Sequence, residues 1–145
     1  MIICSSPRSG STLLAQMLNT IPNTCTLFEP LNVNEVPSAK KAGFEMRTYK
    51  DKNEDWPEGE KFLQDVFTGN EVNVWTAIEL NLKDALSASN LIVKFVRLNR
   101  MLPWFCNRFK GKPPIMLIRH PCAVIASQLD YGWHTATKPK TPKFI

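Results

Sequence analysis

The sequence predicts an α/β fold in which a mainly parallel sheet lies between two layers of helices. Short apolar segments alternate along the chain with segments of helical spacing, a pattern typical of strand–helix–strand units. Hydrophobic residues make up 43% of the 145-residue chain, which is enough for a buried core. Polar side chains follow three of the apolar segments, at residues 5–11, 29 and 119–120. Because ligands bind at the carboxyl ends of parallel strands, these three ends predict one shared site.

Four short apolar segments have the length and composition of buried strands. The first stops at a cluster of Pro, Ser and Gly residues, and the second is closed by the pair Glu29-Pro30. The predicted strands are residues 1–5, 24–28, 90–96 and 114–118.

Five further segments repeat apolar residues at helical spacing. The predicted helices are residues 12–18, 60–67, 71–86, 100–109 and 122–129. The polar, proline-containing stretch 31–60 predicts a long surface loop or lid. Residues 134–145 are rich in Pro and Lys and are predicted to form a disordered tail, which leaves residues 1–133 as the domain.

The net charge of +5 is unevenly distributed. Residues 1–93 carry 8 Lys and Arg against 12 Asp and Glu, whereas residues 94–145 carry 10 against 1. A basic half of this kind suits a polyanionic partner such as a nucleotide, a phosphate-rich cofactor, nucleic acid or an acidic glycan, and a solvated basic face is the alternative. No membrane segment or signal peptide is evident, so a cytoplasmic location is expected.

The cysteines are widely spaced and form no metal-binding pattern. Their apolar neighbours predict buried free thiols, which favours a reducing compartment. The four are Cys4, Cys25, Cys106 and Cys122.

The segment SSPRSGST at residues 5–12 joins the first predicted strand to the first helix and has the features of a phosphate-binding loop. Free amide groups at a helix N-terminus carry positive partial charge and can bind a phosphate. Gly10 allows close approach of the backbone, and Arg8 adds a cation. Ser9, Ser11 and Thr12 add hydroxyl groups. A helix capped by a Ser or Thr side chain after a turn is the alternative interpretation.

This loop differs from the nucleoside-triphosphatase motif GxxxxGK[ST], because no lysine precedes the Ser or Thr. The chain also shows no apolar strand ending in an Asp that could hold Mg²⁺. We therefore expect no metal and favour a metal-free transfer from a nucleotide, with a P-loop kinase-like enzyme as an alternative.

Residues 7–14, PRSGSTLL, resemble the 5′-phosphosulfate loop of sulfotransferases that use 3′-phosphoadenosine 5′-phosphosulfate. Arg119-His120-Pro121 with Ser127 eight residues after the arginine resembles the 3′-phosphate motif of that family. Residues 6–30, which lead to the Glu-Pro pair, are similar to its carbohydrate sulfotransferase branch. The resemblance implies a P-loop-type three-layer fold with helices on both faces of the sheet. Because family members continue with further strands, it also implies that this chain is truncated at its C-terminus.

The resemblance assigns a role to each matching residue. Arg8 would bind the phosphosulfate and neutralise charge on the bridging oxygen as the S–O bond breaks. The 5′-phosphate would be cradled by Ser9, Gly10, Ser11 and Thr12. Arg119 and Ser127 would hold the 3′-phosphate.

Related carbohydrate enzymes use a Glu as the base that activates the acceptor hydroxyl, and Glu29 is the matching candidate. It would lie near the phosphate loop if the first two strands were neighbours, and a local ion pair is the alternative role. Lys94 would assist at the leaving oxygen, although a lysine extending to solvent from a strand end fits the sequence equally well. His120 is expected to act only as a local hydrogen-bond donor.

The resemblance implies transfer of a sulfuryl group to a hydroxyl, with a sugar favoured as the acceptor. Alternatives are a non-catalytic nucleotide-binding fragment, a kinase-like enzyme and a nucleic-acid-binding module, which the lack of basic and aromatic interleaving disfavours. Anchored eukaryotic enzymes of this branch lie in the Golgi lumen. If this chain is a fragment of such an enzyme, its expected location is the Golgi lumen. The four tryptophans could line an acceptor site, but core packing is the favoured role for Trp56, Trp75, Trp104 and Trp133.

Overall fold

A computed structural model describes residues 1–80, 87–111 and 113–132 of the chain. Its centre is a sheet of four strands: β1 (Ile2–Ser5), β2 (Thr24–Phe28), β3 (Asn90–Phe95) and β4 (Ile115–Leu117). All strand pairs are parallel, and the strand order is β2-β3-β1-β4. The predicted parallel α/β sheet is therefore confirmed, and the four predicted strands are found to within one residue at each end.

The first two strands of the chain are not neighbours in the sheet. After β1 the chain passes over β3, so that β3 lies between β1 and β2. Lys94 of β3 is consequently in register with Ile3 on one side and with Phe28 on the other. The sequence places Glu29 near the phosphate loop on the condition that β1 and β2 are neighbours. That condition is not met, because Lys94 and the rest of β3 lie between the two strands.

The helices connect the strands in the order that the sequence predicts. They are α1 (Ser11–Leu18), α2 (Pro37–Lys41), α3 (Pro57–Phe67), α4 (Leu102–Arg108) and α5 (Pro121–Asp130), and a 3₁₀ turn (Asn99–Met101) leads into α4. The helices predicted at 12–18, 60–67, 100–109 and 122–129 are confirmed. Prolines lie in the first turn of α2, α3, α4 and α5, where the missing amide hydrogen costs little.

Helices pack on both faces of the sheet. Because side chains alternate along a strand, Ile3 and Cys4 of β1 point to opposite faces. Ile3 packs against Ala15 of α1 in a small cluster. On the other face, Cys4 and Phe95 belong to a larger core that includes residues of α3 and α4. The predicted arrangement of three layers is therefore confirmed.

The prediction of a surface loop or lid at residues 31–60 is wrong. This segment forms α2 and contributes five side chains to the large core: Leu31, Val36, Ala39, Phe44 and Trp56. This packing could not be predicted from the sequence, because the apolar residues of the segment are sparse and follow neither the strand period nor the helix period.

The helix predicted at residues 71–86 is absent from its described part, 71–80, where the chain forms turns. Asn73 and Thr76 hold the turn reciprocally. The Asn73 amide donates to Thr76 Oγ1 at 2.8 Å, and the Thr76 amide donates to Asn73 Oδ1 at 2.9 Å. Asn and Thr side chains that bind nearby backbone in this way compete with helix formation. The Thr76 carbonyl then accepts from the Phe28 amide at 2.9 Å, which fixes the turn against β2.

The environments of the cysteines differ from the prediction. Cys4 is buried and Cys25 half-buried, but Cys106 and Cys122 are exposed; all four are free thiols. Residues 134–145, predicted to form a tail, lie outside the described residues. None of the described helices is both long and apolar enough to cross a membrane.

We expect Gly59→Ala to lower the free energy of unfolding by about 1–3 kcal/mol, as overpacking in a filled core does. A Cβ atom at Gly59 would overlap the Trp56 ring, which is itself buried and packed against Phe44 and Trp104. Gly111→Ala is the matched control, because a Cβ atom there meets nothing within 4 Å. Urea denaturation of both variants measures the effect, and equal midpoints would contradict the predicted clash.

Candidate functional site

A cleft of about 410 Å³ lies at the carboxyl ends of β1, β2 and β3 and beside the N-terminal part of α1. It brings together nearly all the site residues that the sequence predicts. Those that line it are Arg8, Gly10, Ser11, Thr12, Glu29, Lys94, Arg119 and Ser127. Ser9 is the exception, since it lines a separate groove beside β4.

The loop between β1 and α1 presents an uncapped helix start to the cleft. Gly10 is the N-cap residue with φ 91°, and no side chain forms a cap hydrogen bond to the first turn. The alternative of a Ser- or Thr-capped helix is therefore wrong. The left-handed backbone at Gly10 explains why a glycine stands there. Arg8 has φ 66°, an unusual conformation for a residue with a side chain. Such backbone strain is often found at functional sites.

Two distant parts of the sequence meet at Arg8. Its Nε donates a hydrogen bond to Ser127 Oγ at 3.0 Å, across 119 positions of sequence. Arg119 Nη1 donates to the Arg8 carbonyl oxygen at 3.0 Å. The Tyr131 ring lies 4.7 Å from the Arg8 guanidinium carbon, a cation–π contact. The loop and the segment around α5 thus form one cationic wall of the cleft.

The opposite wall contains a buried ionic cluster around Glu29. Lys94 Nζ lies 2.7 Å from Glu29 Oε1, and the two residues are only 3% and 4% exposed. Glu29 Oε2 accepts from Arg97 Nη1 at 3.1 Å and from the Val96 amide at 3.2 Å. We refer to Glu29, Lys94 and Arg97 as the ionic cluster. Within it Oε1 has a single partner among the described residues, so it retains capacity for one more hydrogen bond.

The backbone fixes the orientation of this carboxylate. Glu29 has φ 48°, and its amide donates to the Lys94 carbonyl at 3.0 Å. This turn ends β2 and directs the side chain across β3. Lys94 is also held by Phe28, whose ring centroid lies 4.0 Å from Nζ. The alternative of a lysine extending into solvent is wrong, whereas the local ion pair weighed for Glu29 is present.

The cleft includes residues that the sequence analysis did not single out as site residues. They are Phe28, Asn32, Val96, Arg97 and Tyr131. Asn32 is 7% exposed, and its Oδ1 has no hydrogen-bond partner in the described part of the chain. The polar residue Asn32 follows the Glu-Pro pair by two positions, and this proximity could have identified it as a site residue from the sequence.

The tryptophans divide between core and cleft. Trp56 and Trp104 are buried in the large core, as expected. Trp75 lines the cleft and packs edge-on against Phe28, with 5.4 Å between ring centroids. The turn at residues 71–80 brings it there. Trp133 lies outside the described residues.

Two polar groups beside the loop have local roles. His120 is the N-cap of α5, and its Nδ1 accepts from the Cys122 amide at 3.3 Å, so the expected donor acts as an acceptor.

Burial, followed by the charge of Glu29, raises the pKa of Cys4 to about 12. Its protonated thiol donates to Asn99 Oδ1 at 2.7 Å, and Asn99 Nδ2 donates to the Ser5 carbonyl at 2.9 Å. This chain of hydrogen bonds anchors the start of the loop.

The described residues contain no group of three His, Cys, Asp or Glu side chains that could hold a metal ion. No protein-family model, curated protein or solved structure matches the chain.

Proposed function

We propose that the chain is a sulfotransferase core that moves a sulfuryl group from 3′-phosphoadenosine 5′-phosphosulfate to a hydroxyl group, with a carbohydrate as the acceptor. The observation that supports this most strongly is the meeting of the two cationic motifs. Arg8 reaches Ser127 at 3.0 Å, and Arg119 reaches the Arg8 carbonyl at 3.0 Å. One bound nucleotide with phosphate groups at both its 3′ and 5′ positions would contact both motifs.

The nucleotide would bind along the cationic wall. In this proposal the amides at the start of α1 and the hydroxyls of Ser11 and Thr12 bind the 5′-phosphate. Ser9 takes no part, because its amide donates to the Ser6 carbonyl at 3.3 Å and the residue lines the separate groove. Arg119 and Ser127 bind the 3′-phosphate. The absence of a side-chain cap on α1 supports this role, because those amides remain available to an anion. Guanidinium groups match phosphate oxygens in charge and geometry.

The reaction would consist of in-line attack at sulfur. The acceptor oxygen forms a bond to sulfur while the bond from sulfur to the bridging phosphate oxygen breaks. The electron pair of that bond stays on the leaving adenosine 3′,5′-bisphosphate. Arg8 and Lys94 stabilise the charge that develops there. Glu29 Oε1 accepts the acceptor hydroxyl proton and aligns the attacking oxygen.

The remaining cleft surface suits a sugar. Trp75 and Phe28 offer apolar rings, and Asn32 offers a carboxamide with an unused oxygen. A sugar ring combines an apolar face with several hydroxyl groups, so it matches both kinds of surface.

A nucleotide-binding protein without turnover is the second candidate. The observation in its favour is the ionic cluster, since Glu29 already accepts from Lys94, Arg97 and the Val96 amide. A carboxylate serving only as a structural counter-ion would be held in the same way.

Binding and transfer assays separate the two candidates. We expect isothermal titration to show binding of adenosine 3′,5′-bisphosphate without Mg²⁺. Arg119→Gln should weaken it about 10–100-fold, because it removes a charged hydrogen-bond donor worth about 1.5–3 kcal/mol. Lys61→Gln, an exposed lysine away from the cleft, is the control. Transfer of labelled sulfate to a panel of oligosaccharides would then support the enzyme.

Binding without transfer would favour the second candidate. An unchanged affinity in Arg119→Gln would contradict the proposed nucleotide site. Binding of ATP that depends on Mg²⁺ would instead favour the kinase-like alternative.

A further inference from the structure

A few buried side-chain polar atoms have no hydrogen-bond partner among the residues that the structure describes. Two of them, Glu60 Oε1 and Arg108 Nε, lie 3.2 Å apart and form an ion pair with each other. A third, Ser5 Oγ, belongs to a fully buried residue of β1. The remaining two are Asn32 Oδ1 and Trp75 Nε1, and both residues line the candidate cleft. We call these two atoms the polar pair.

The unpaired state of Trp75 Nε1 differs from that of the two core tryptophans. Trp56 Nε1 donates to the Ala42 carbonyl at 3.1 Å, and Trp104 Nε1 donates to the Glu54 carbonyl at 2.9 Å. Buried indole N–H groups usually find such a partner. A buried polar atom without one is unfavourable, because it has lost its hydrogen bonds to water. The polar pair therefore contributes nothing to the stability of the fold through hydrogen bonds.

The backbone places the polar pair on the same wall of the cleft as Glu29. The Asn32 amide donates to the Glu29 carbonyl at 3.0 Å, which holds Asn32 in the turn after β2. The Trp75 ring packs edge-on against Phe28, with 5.4 Å between ring centroids. The carbonyl of the next residue, Thr76, accepts from the Phe28 amide at 2.9 Å. Both atoms are thus held by contacts with the two residues that end β2, beside the proposed base.

The chemistry of the two atoms limits what can bind them. The carboxamide oxygen of Asn32 only accepts a hydrogen bond, and the indole N–H of Trp75 only donates one. A hydroxyl group both donates and accepts through a single oxygen, so it can satisfy both atoms. A carboxylate or sulfate cannot donate to Asn32, and an ammonium group cannot accept from Trp75. The polar pair therefore favours a neutral hydroxyl over a charged group.

We propose that the polar pair binds a second hydroxyl group of the acceptor, next to the hydroxyl that reacts at Glu29. This inference rests on the proposed function, since it assumes that the molecule beside Glu29 is the acceptor. Asn32 and Trp75 then determine specificity for a polyhydroxylated ring. An acceptor with one hydroxyl, such as a simple alcohol or a phenol, leaves both atoms unpaired, and sites with buried polar groups reject such analogues strongly. Because both atoms are buried without a ligand, their side chains shift to admit the hydroxyl.

Nuclear magnetic resonance tests this without any need for turnover. The probes are methyl β-glucopyranoside, methyl β-galactopyranoside and methyl α-mannopyranoside, each added with and without adenosine 3′,5′-bisphosphate. We expect at least one of them to move the indole N–H resonance of Trp75, which is assigned by its loss in Trp75→Phe. The resonances of Trp56 and Trp104 are internal controls and should stay in place, because their N–H groups already donate to carbonyls. Cyclohexanol, a ring with one hydroxyl, should bind about fivefold or more weakly than the best glycoside.

Asn32→Leu separates a binding role from a structural one. It should weaken binding of the best glycoside about fivefold or more, since one hydrogen bond is lost. Its midpoint in urea should stay the same or rise, because an apolar side chain replaces an unpaired polar one. Asn34→Leu is the matched control, since Asn34 is exposed and does not line the cleft. It should leave the affinity for the glycoside unchanged, and both variants should bind adenosine 3′,5′-bisphosphate as the unmodified protein does.

Three results would overturn the inference. The first is a Trp75 resonance that none of the three glycosides moves. The second is unchanged glycoside affinity in Asn32→Leu. The third is displacement of the glycoside by adenosine 3′,5′-bisphosphate, which would assign the polar pair to the nucleotide. A protein that passes the glycoside tests but does not bind the nucleotide keeps the hydroxyl site and contradicts the sulfotransferase. A protein that binds the nucleotide but fails the glycoside tests loses only the hydroxyl site.

Discussion

Glu29→Gln is expected to lower the free energy of unfolding by about 3–5 kcal/mol. The substitution leaves the Lys94 ammonium, which is 3% exposed, without its counter-ion at 2.7 Å. Stranding one partner of a buried ion pair costs much more than the pair itself contributes to stability. Arg97 is affected less, because its side chain is 18% exposed and can reach water. Urea denaturation at neutral pH measures the loss.

A second variant tests whether the loss of stability comes from the unpaired Lys94 ammonium or from a loss of packing. Glu29→Gln combined with Lys94→Met removes both ends of the pair, so we expect it to recover most of the lost stability. Glu54→Gln is the control, because Glu54 pairs with Lys50 at an exposed position and should change the urea midpoint little. A double variant no more stable than Glu29→Gln would show that the buried ammonium is not the cause.

The ionic cluster also shows what the sequence could and could not predict about the site. The order of strands and helices followed from apolar periodicity, and the positions of Arg8, Glu29 and Arg119 followed from strand ends. Periodicity does not give the order of strands within the sheet. The placement of β3 between β1 and β2 was therefore not predicted, and neither was the contact of Glu29 with Lys94 and Arg97.

The errors have specific local causes. The turn at residues 71–80 forms because Asn73 and Thr76 bind each other's backbone amides, an interaction that a count of apolar residues does not register. That turn places Trp75 in the cleft. Tyr131 lies at the end of α5, where helical periodicity carries no information about a contact with Arg8.

We expect Glu29→Gln to reduce kcat for sulfuryl transfer about 10²–10⁴-fold, the usual contribution of a positioned general base. An amide at this position cannot accept the proton of the attacking hydroxyl. It still allows the nucleotide to bind at the opposite wall, so the affinity for adenosine 3′,5′-bisphosphate should change less than about twofold. The measurement is made at low temperature, with the folded fraction determined by circular dichroism, because the same substitution destabilises the protein.

Gly59→Ala is the control for the loss of stability. Gly59 lies in α3 and does not line the cleft, so its substitution lowers the free energy of unfolding without changing the site. Its turnover per folded molecule should equal that of the unmodified protein. If Glu29→Gln kept its turnover per folded molecule while nucleotide binding was intact, Glu29 would be a structural counter-ion and not a base. If both variants lost turnover to the same degree, the loss would reflect stability and not chemistry. Glu29 is therefore identified as the base if Glu29→Gln lowers kcat, Gly59→Ala does not, and the nucleotide affinity of Glu29→Gln is unchanged.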